Sequence, residues 1–217
     1  MIKLIATDID GTLVKDGTLI IDPEYMTVIS KLIDKRIIFT VCSGRQFSSE
    51  QKLFAPIKDK LMYITDGGTV VRTPDRILKT YPMSNELWKD MCRMVRDELP
   101  ACDYFAASPD ICYAEDGASP IFHRLRDSYG FEMREIDDLT KLENDDIIKF
   151  TVYHPDSCEE LCSPHFIPAW KDKAHVTSAG KEWVDCNRSG ISKWTAVSFL
   201  MDKYNIAPGE VCCFGDN

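Results

Sequence analysis

Four short apolar runs, each cut off by a cluster of small and polar residues, constrain this chain more than any other feature. Residues 2–7 give way to Asp8-Ile9-Asp10-Gly11-Thr12, and residues 37–41 lead into Ser43-Gly44-Arg45. Residues 61–64 precede Asp66-Gly67-Gly68, and residues 211–214 precede Gly215-Asp216-Asn217. Runs of this length with such endings read as buried strands. Helix signals lie between them. Asp22-Pro23 offers an N-cap and a first-turn proline, and Met26, Ile29, Leu32 and Ile33 follow at helical spacing. A polar helix is expected around residues 47–54 and another over 192–204. Strands alternating with helices indicate an α/β fold built on a parallel sheet. Ligands of such sheets sit beyond the carboxyl ends of the strands, so Asp8, Ser43 and Asp66 are expected on one rim.

The pattern changes from about Pro82. Ser84 is placed to cap a long amphipathic helix to residue 99, with Leu87, Met91, Met94 and Val95 on one face. Short β-like runs at 103–107 and 111–114 follow, then a helical stretch over 119–129 and a strong strand at 147–153. Residues 156–170 read as a helix broken by Pro164 and Pro168, and 176–178 with 182–186 as a hairpin. This order is α+β, hence a second domain inserted into the first. The expected division is 1–81 with 186–217 for the core, and 82–185 for the insert.

Composition removes several classes of function. A net charge of −9 argues against a nucleic-acid binder, whose affinity rests on clustered Lys and Arg, but leaves room for a small anionic substrate. No apolar run reaches bilayer length, and the N-terminal run is too short for a signal peptide, so the expected location is cytoplasmic and no membrane partner is expected. Asn187-Arg188-Ser189 matches a glycosylation acceptor, and without a secretory signal it is read as chance. The nine cysteines are odd in number and lack zinc-site spacing. They read as small hydrophobes, including Cys42, the pair Cys158 and Cys162, and Cys212-Cys213. Trp170, Trp183 and Trp194 read as packing residues, and the four histidines form no constellation.

Asp8 and Asp10 stand two apart at a strand end, with Gly11 allowing a sharp turn. Two carboxylates this close favour a divalent cation, although Asp and Gly are also ordinary turn residues. A calcium-loop reading fails at the twelfth position, which is Leu19 rather than Glu. Ser43 supplies a hydroxyl, and Gly44 lets backbone approach an anion. Lys193 opens a helix, where the macrodipole disfavours a cation. Either a phosphate partner or plain solvent exposure accounts for it. Asp216 adds a third carboxylate. No Walker-type loop or serine elbow occurs.

Asp8-Ile9-Asp10-Gly11-Thr12, Ser43-Gly44-Arg45, Lys193 and Gly215-Asp216, in that order, resemble the four motifs of the haloacid dehalogenase superfamily. The insert and the Gly190-Ile191-Ser192-Lys193 context are similar to its Cof-type branch with a C2B cap, and Asp66-Gly67-Gly68 stands where many relatives have Asn-Gly. The resemblance implies a Rossmann-like parallel-sheet core and phosphatase activity on small phosphorylated metabolites, sugar phosphates among them. Asp8 would be the nucleophile that forms an aspartyl-phosphate, and Asp10 the acid–base. Mg²⁺ would be held by Asp8, Asp10 (through its carbonyl) and Asp216. Ser43, Gly44 and Lys193 would bind phosphate, with Arg45 either reaching substrate or cap or forming a structural salt bridge. A phosphotransferase or mutase, and a catalytically silent phosphometabolite-binding protein, are the alternatives. Relatives continue past this last motif with a further acidic residue and core elements. The resemblance therefore implies weak Mg²⁺ binding and reduced activity for a chain ending at Asn217.

Overall fold

The structure, a computed structural model, describes residues 1–14, 20–143 and 146–216; Leu19 and Asn217 lie outside these. Along the chain the first elements are β1 (Leu4–Thr7), α1 (Pro23–Asp34), β2 (Ile38–Cys42), α2 (Phe47–Leu53), β3 (Met62–Thr65), β4 (Val70–Arg72) and β5 (Ile77–Thr80). Then come α3 (Asn85–Glu98), β6 (Asp103–Ala107), β7 (Cys112–Ala114), α4 (Pro120–His123), β8 (Met133–Glu135) and β9 (Lys149–Tyr153). The last are α5 (Cys158–Leu161), α6 (Ser163–Trp170), β10 (Ala174–Ser178), β11 (Trp183–Arg188), α7 (Lys193–Tyr204) and β12 (Val211–Phe214). The chain divides into two compact units, Met1–Thr80 with Ser192–Asn217, and Tyr81–Ile191. A boundary at 185/186 would cut through β11, which belongs to the sheet of the second unit.

The first unit carries a six-stranded sheet in the order β12-β1-β2-β3-β4-β5. β12, β1, β2 and β3 run parallel, as the apolar runs joined by helices require. The sheet is mixed, however, because β4 and β5 pair antiparallel. The link from β3 to β4 is a tight turn through Asp66, Gly67 and Gly68, all at positive φ. It is too short for a crossover, so the chain can only reverse. Alternate residues of β1 serve opposite faces. Ile5 packs with Ile29, Val41, Phe47 and Phe54 under α1 and α2. Leu4 and Ala6 pack with Ile64, Ala196, Val197 and Leu200 against α7. β12 is an edge strand, and there Cys213 and Phe214 are exposed rather than buried as expected.

The helix ends are set by side chains the sequence advertised. Asp22 caps α1 by accepting from Glu24 N, with Pro23 at its first turn. Ser192 caps α7 in a reciprocal capping box with Thr195. Gly68, at φ +103°, lies against the Ser192 carbonyl, where a Cβ would collide with backbone. We expect Gly68→Ala to lose about 2 kcal/mol or more, from strain at positive φ and overpacking, seen as a lower thermal midpoint. An unchanged midpoint would show that this close approach does not constrain the fold.

The second unit has its own six-stranded sheet, β10-β11-β9-β6-β7-β8, antiparallel except for the β7–β8 pair. Ser84 caps α3 as expected, and its Trp88, Met91 and Val95 join Phe150, Val152, Phe166 and Val184 in one core. The helical stretch over 119–129 is α4 followed by a π-helical segment, Arg124–Tyr129, ending at Gly130 in the left-handed region. Pro164 starts α6, while Pro168 is accommodated inside it.

Candidate active site

The carboxyl ends of β1, β2 and β3 are tied into one rim by backbone hydrogen bonds. Ser43 N donates to Ile64 O (3.0 Å), Asp66 N to Arg45 O (3.0 Å) and Gly67 N to Ser43 O (3.0 Å). Asp8 N donates to Phe214 O at 2.9 Å, which fixes the start of the first motif to β12. Beyond Asp8 the chain folds on itself, with Leu13 N and Val14 N both donating to Ile9 O (2.8 and 3.0 Å). Gly11 sits at φ +77°, a backbone conformation that L side chains rarely adopt, and its missing Cβ leaves room for the Asp216 carboxylate. The rim thus gathers Asp8, Asp10, Ser43, Arg45 and Asp216 although the sequence scatters them.

Lys193 joins them from the first turn of α7. Its ammonium forms an ion pair with Asp8 Oδ2, and Asp8 Oδ1 accepts Ile9 N–H at 2.8 Å. This partner answers why a lysine stands where the helix dipole disfavours it. Both oxygens of the carboxylate are therefore oriented, with a cation alongside.

Arg45 is committed within the core unit. Its Nε donates to Asp10 Oδ2 (2.9 Å) and its Nη2 to Asp10 Oδ1 (2.6 Å), a two-pronged grip that fixes the carboxylate plane. Of the two roles open to Arg45 in the sequence, the geometry supplies the salt bridge. Ser43 is fully buried, and its Oγ accepts Arg45 N–H at 2.9 Å. Gly44 is exposed, and nothing would meet a Cβ there, so its openness is not demanded by the protein's own packing.

The donors that would suit a hard cation are the Asp8 and Asp216 carboxylates and the Asp10 carbonyl, all oxygen. The Asp216 carboxylate pressed into the Gly11 cradle fits such a role. Among the described residues, no three Asp, Glu, His or Cys side chains are gathered at coordinating distance.

Sequence reasoning missed Glu50. On a helix read as polar, it is 0% exposed, and burial, with the Asp66 charge next, pushes its carboxyl well above the usual range. Trp194, expected to pack, is 62% exposed. Trp170 is buried, as are Cys158 and Cys162, which pack in the core of the second unit.

A family model for haloacid dehalogenase-like hydrolases matches residues 5–217. The chain belongs to that family. The hydrolase is 24% identical over 219 residues to 5-amino-6-(5-phospho-D-ribitylamino)uracil phosphatase YbjI of Escherichia coli, covering 99% of this chain and 79% of that protein. A crystal structure from Eubacterium rectale is 77% identical, with a TM-score of 0.88, covering 100% of this chain and 82% of the other. The subclass IIB sugar phosphatase BT4131 shares the fold at 16% identity and a TM-score of 0.80, over 99% of this chain and 81% of the other.

Proposed function

We propose that this haloacid dehalogenase-like hydrolase is a phosphatase that cleaves monoesters of small phosphorylated metabolites, with Asp8 as nucleophile and Mg²⁺ as cofactor. The observation that carries the reading is the Asp8 carboxylate, oriented at a strand end by Ile9 N–H and paired with Lys193. A carboxylate attacking a phosphate must overcome like-charge repulsion, and a cation beside the nucleophile lowers that barrier. The Lys193 ammonium is placed to transfer its attention from Asp8 to the phosphoryl oxygens. The Ser43 O–H offers a further donor to those oxygens. Asp10, aligned by Arg45, gives a proton to the departing alcohol and later takes one from the water that releases phosphate from Asp8. Asp8, Asp216 and the Asp10 carbonyl would hold Mg²⁺, which when bound masks the charge between carboxylate and phosphate.

YbjI acts on a phosphorylated ribityl compound and BT4131 on sugar phosphates, which favours a phosphorylated sugar or polyol as substrate here. The unit Tyr81–Ile191 is assigned the role of a C2B-type cap that selects the leaving group. Among the described residues no helix is long and apolar enough to cross a membrane, and all nine cysteines are free thiols. Both fit a soluble enzyme of a reducing cytoplasm. The test is a panel of sugar, polyol and nucleotide phosphates assayed for released phosphate with and without Mg²⁺. Turnover of sugar or polyol phosphates that requires the metal is the expected result. No release from any phosphate ester would overturn the reading.

A further inference from the structure

Two cysteines of the second unit meet although 60 residues separate them in sequence. Cys102 lies in the link from α3 to β6, and Cys162 at the junction of α5 and α6. Both are free thiols, and their Sγ atoms are 2.6 Å apart. Unbonded carbon atoms rest at about 3.5–4.0 Å and a disulfide closes at about 2.0 Å, so the pair stands near bonding distance. Local backbone holds both ends. Cys102 N donates to Leu99 O at 2.9 Å, and Cys162 N to Cys158 O at 3.0 Å. The neighbouring thiol of Cys158 is already committed, since its Sγ donates to Val152 O at 3.7 Å. Access differs between the two partners. Cys162 is 1% exposed, whereas Cys102 is half-buried and lines a cleft of about 320 Å³ with Ala101, Asp103, Tyr104, Glu115 and Asp116. Among the described residues no Lys or Arg lines that cleft, so its acidic wall suits a small neutral or cationic reagent.

We propose that Cys102 and Cys162 form a reversible disulfide that staples the second unit, with Cys102 as the entry thiol, Cys162 as the resolving thiol and a small organic disulfide as the oxidant. The Cys102 thiolate attacks one sulfur of that disulfide, and the other half leaves as a thiol with the proton that Cys102 gave up. Cys162 then attacks Cys102 Sγ. The Cys102–Cys162 bond forms, and the second half leaves as a thiol with the proton from Cys162. The protein pair loses two electrons and two protons, and the small disulfide is reduced to two thiols. Burial, and next the Cys162 thiol beside it, pushes the Cys102 thiol up, so thiolate is scarce and the pair persists as thiols until oxidant is plentiful. The bond ties the α3–β6 link to the α5–α6 junction. Closing a loop of 60 residues restricts the unfolded chain and so stabilises the unit. Neither thiol belongs to the proposed catalytic set, and the staple stands whether or not the chain is a phosphatase.

The test treats the full chain with cystamine, a cationic disulfide, in a Cys213→Ser background that removes the exposed thiol of β12. Remaining thiols are alkylated in denaturant, and the linked peptides are mapped by mass spectrometry. The expected product carries a Cys102–Cys162 link with no cysteamine adduct on either residue, and dithiothreitol reverses it. Its thermal midpoint is expected to rise by about 5 °C or more over the reduced chain. Adding Cys102→Ser should abolish both the link and the rise. A link that maps to Cys158 and Cys162 would overturn the proposal. So would the absence of any link at Cys102, whether that thiol stays free or keeps a cysteamine adduct. An oxidised chain whose midpoint matches the reduced one, or a rise that survives Cys102→Ser, would show that the bond does not staple the unit. Should Cys102→Ser fail to fold, the peptide map and the midpoint of the parent chain decide the matter by themselves.

Discussion

Asp8→Asn is expected to lose turnover by at least about 10⁴-fold while the fold remains. The amide keeps the shape of the carboxylate and still accepts Ile9 N–H, so the strand end is undisturbed. What disappears is the charge that makes the oxygen a nucleophile, and with it the attraction for a hard cation. Losses of this order accompany removal of a covalent nucleophile elsewhere, where residual rate comes from binding alone. The stability cost is small by comparison. The ion pair with Lys193 is lost, but that side chain is 41% exposed, and partly solvated pairs contribute at most about 1 kcal/mol. Two measurements decide the case together. Intact mass after acid quench should show a phosphoryl adduct on the wild-type chain and none on the variant, and thermal midpoints should differ little. A variant that turns over at near wild-type rate would remove Asp8 from the chemistry.

The contrast between this carboxylate and Glu50 shows how far the sequence could be read. Asp8 stands at the end of an apolar run beside Asp10 and Gly11, a local signal that needs no knowledge of the fold. The strands β1, β2, β3 and β12 were legible for the same reason: each is a short apolar run that a turn cluster ends. β4 and β8 were not, because Val70–Arg72 and Met133–Glu135 are three residues each and carry no alternation to recognise. Glu50 is illegible for another reason. A glutamate in a short helix reads as solvent-facing, and only the packing of α2 against the sheet makes it buried. Arg45 and Asp10 lie 35 residues apart, and their two-pronged pairing is decided by strand order, which the sequence implied but did not dimension. Trp194 erred in the opposite direction, since an aromatic residue beside a helix start carries no mark of which way it faces.

The second large effect is expected at Asp10. Asp10→Asn should slow turnover of an alkyl or sugar phosphate by about 10²–10⁴-fold, the usual contribution of a general acid–base. Its two half-reactions respond differently to the leaving group, and that difference separates the role from simple misalignment. An alkoxide is a poor leaving group and needs the proton Asp10 supplies, so formation of the aspartyl-phosphate is slowed. A p-nitrophenolate leaves without help, so with that substrate the first step proceeds and only the attack of water is impaired. The variant should therefore accumulate phosphorylated Asp8 with p-nitrophenyl phosphate, and much less of it with a sugar phosphate. Arg45→Met provides the comparison. It frees both Asp10 oxygens from the bonds at 2.9 and 2.6 Å but leaves the acid in place. A loosely held acid–base loses rate through orientation, and it does so in both half-reactions with either substrate. Rapid-quench measurement of the phosphorylated fraction distinguishes the two patterns. Equal slowing of both substrates in Asp10→Asn, with no build-up of phosphoenzyme, would show that Asp10 serves to hold Arg45 and the turn rather than to move protons.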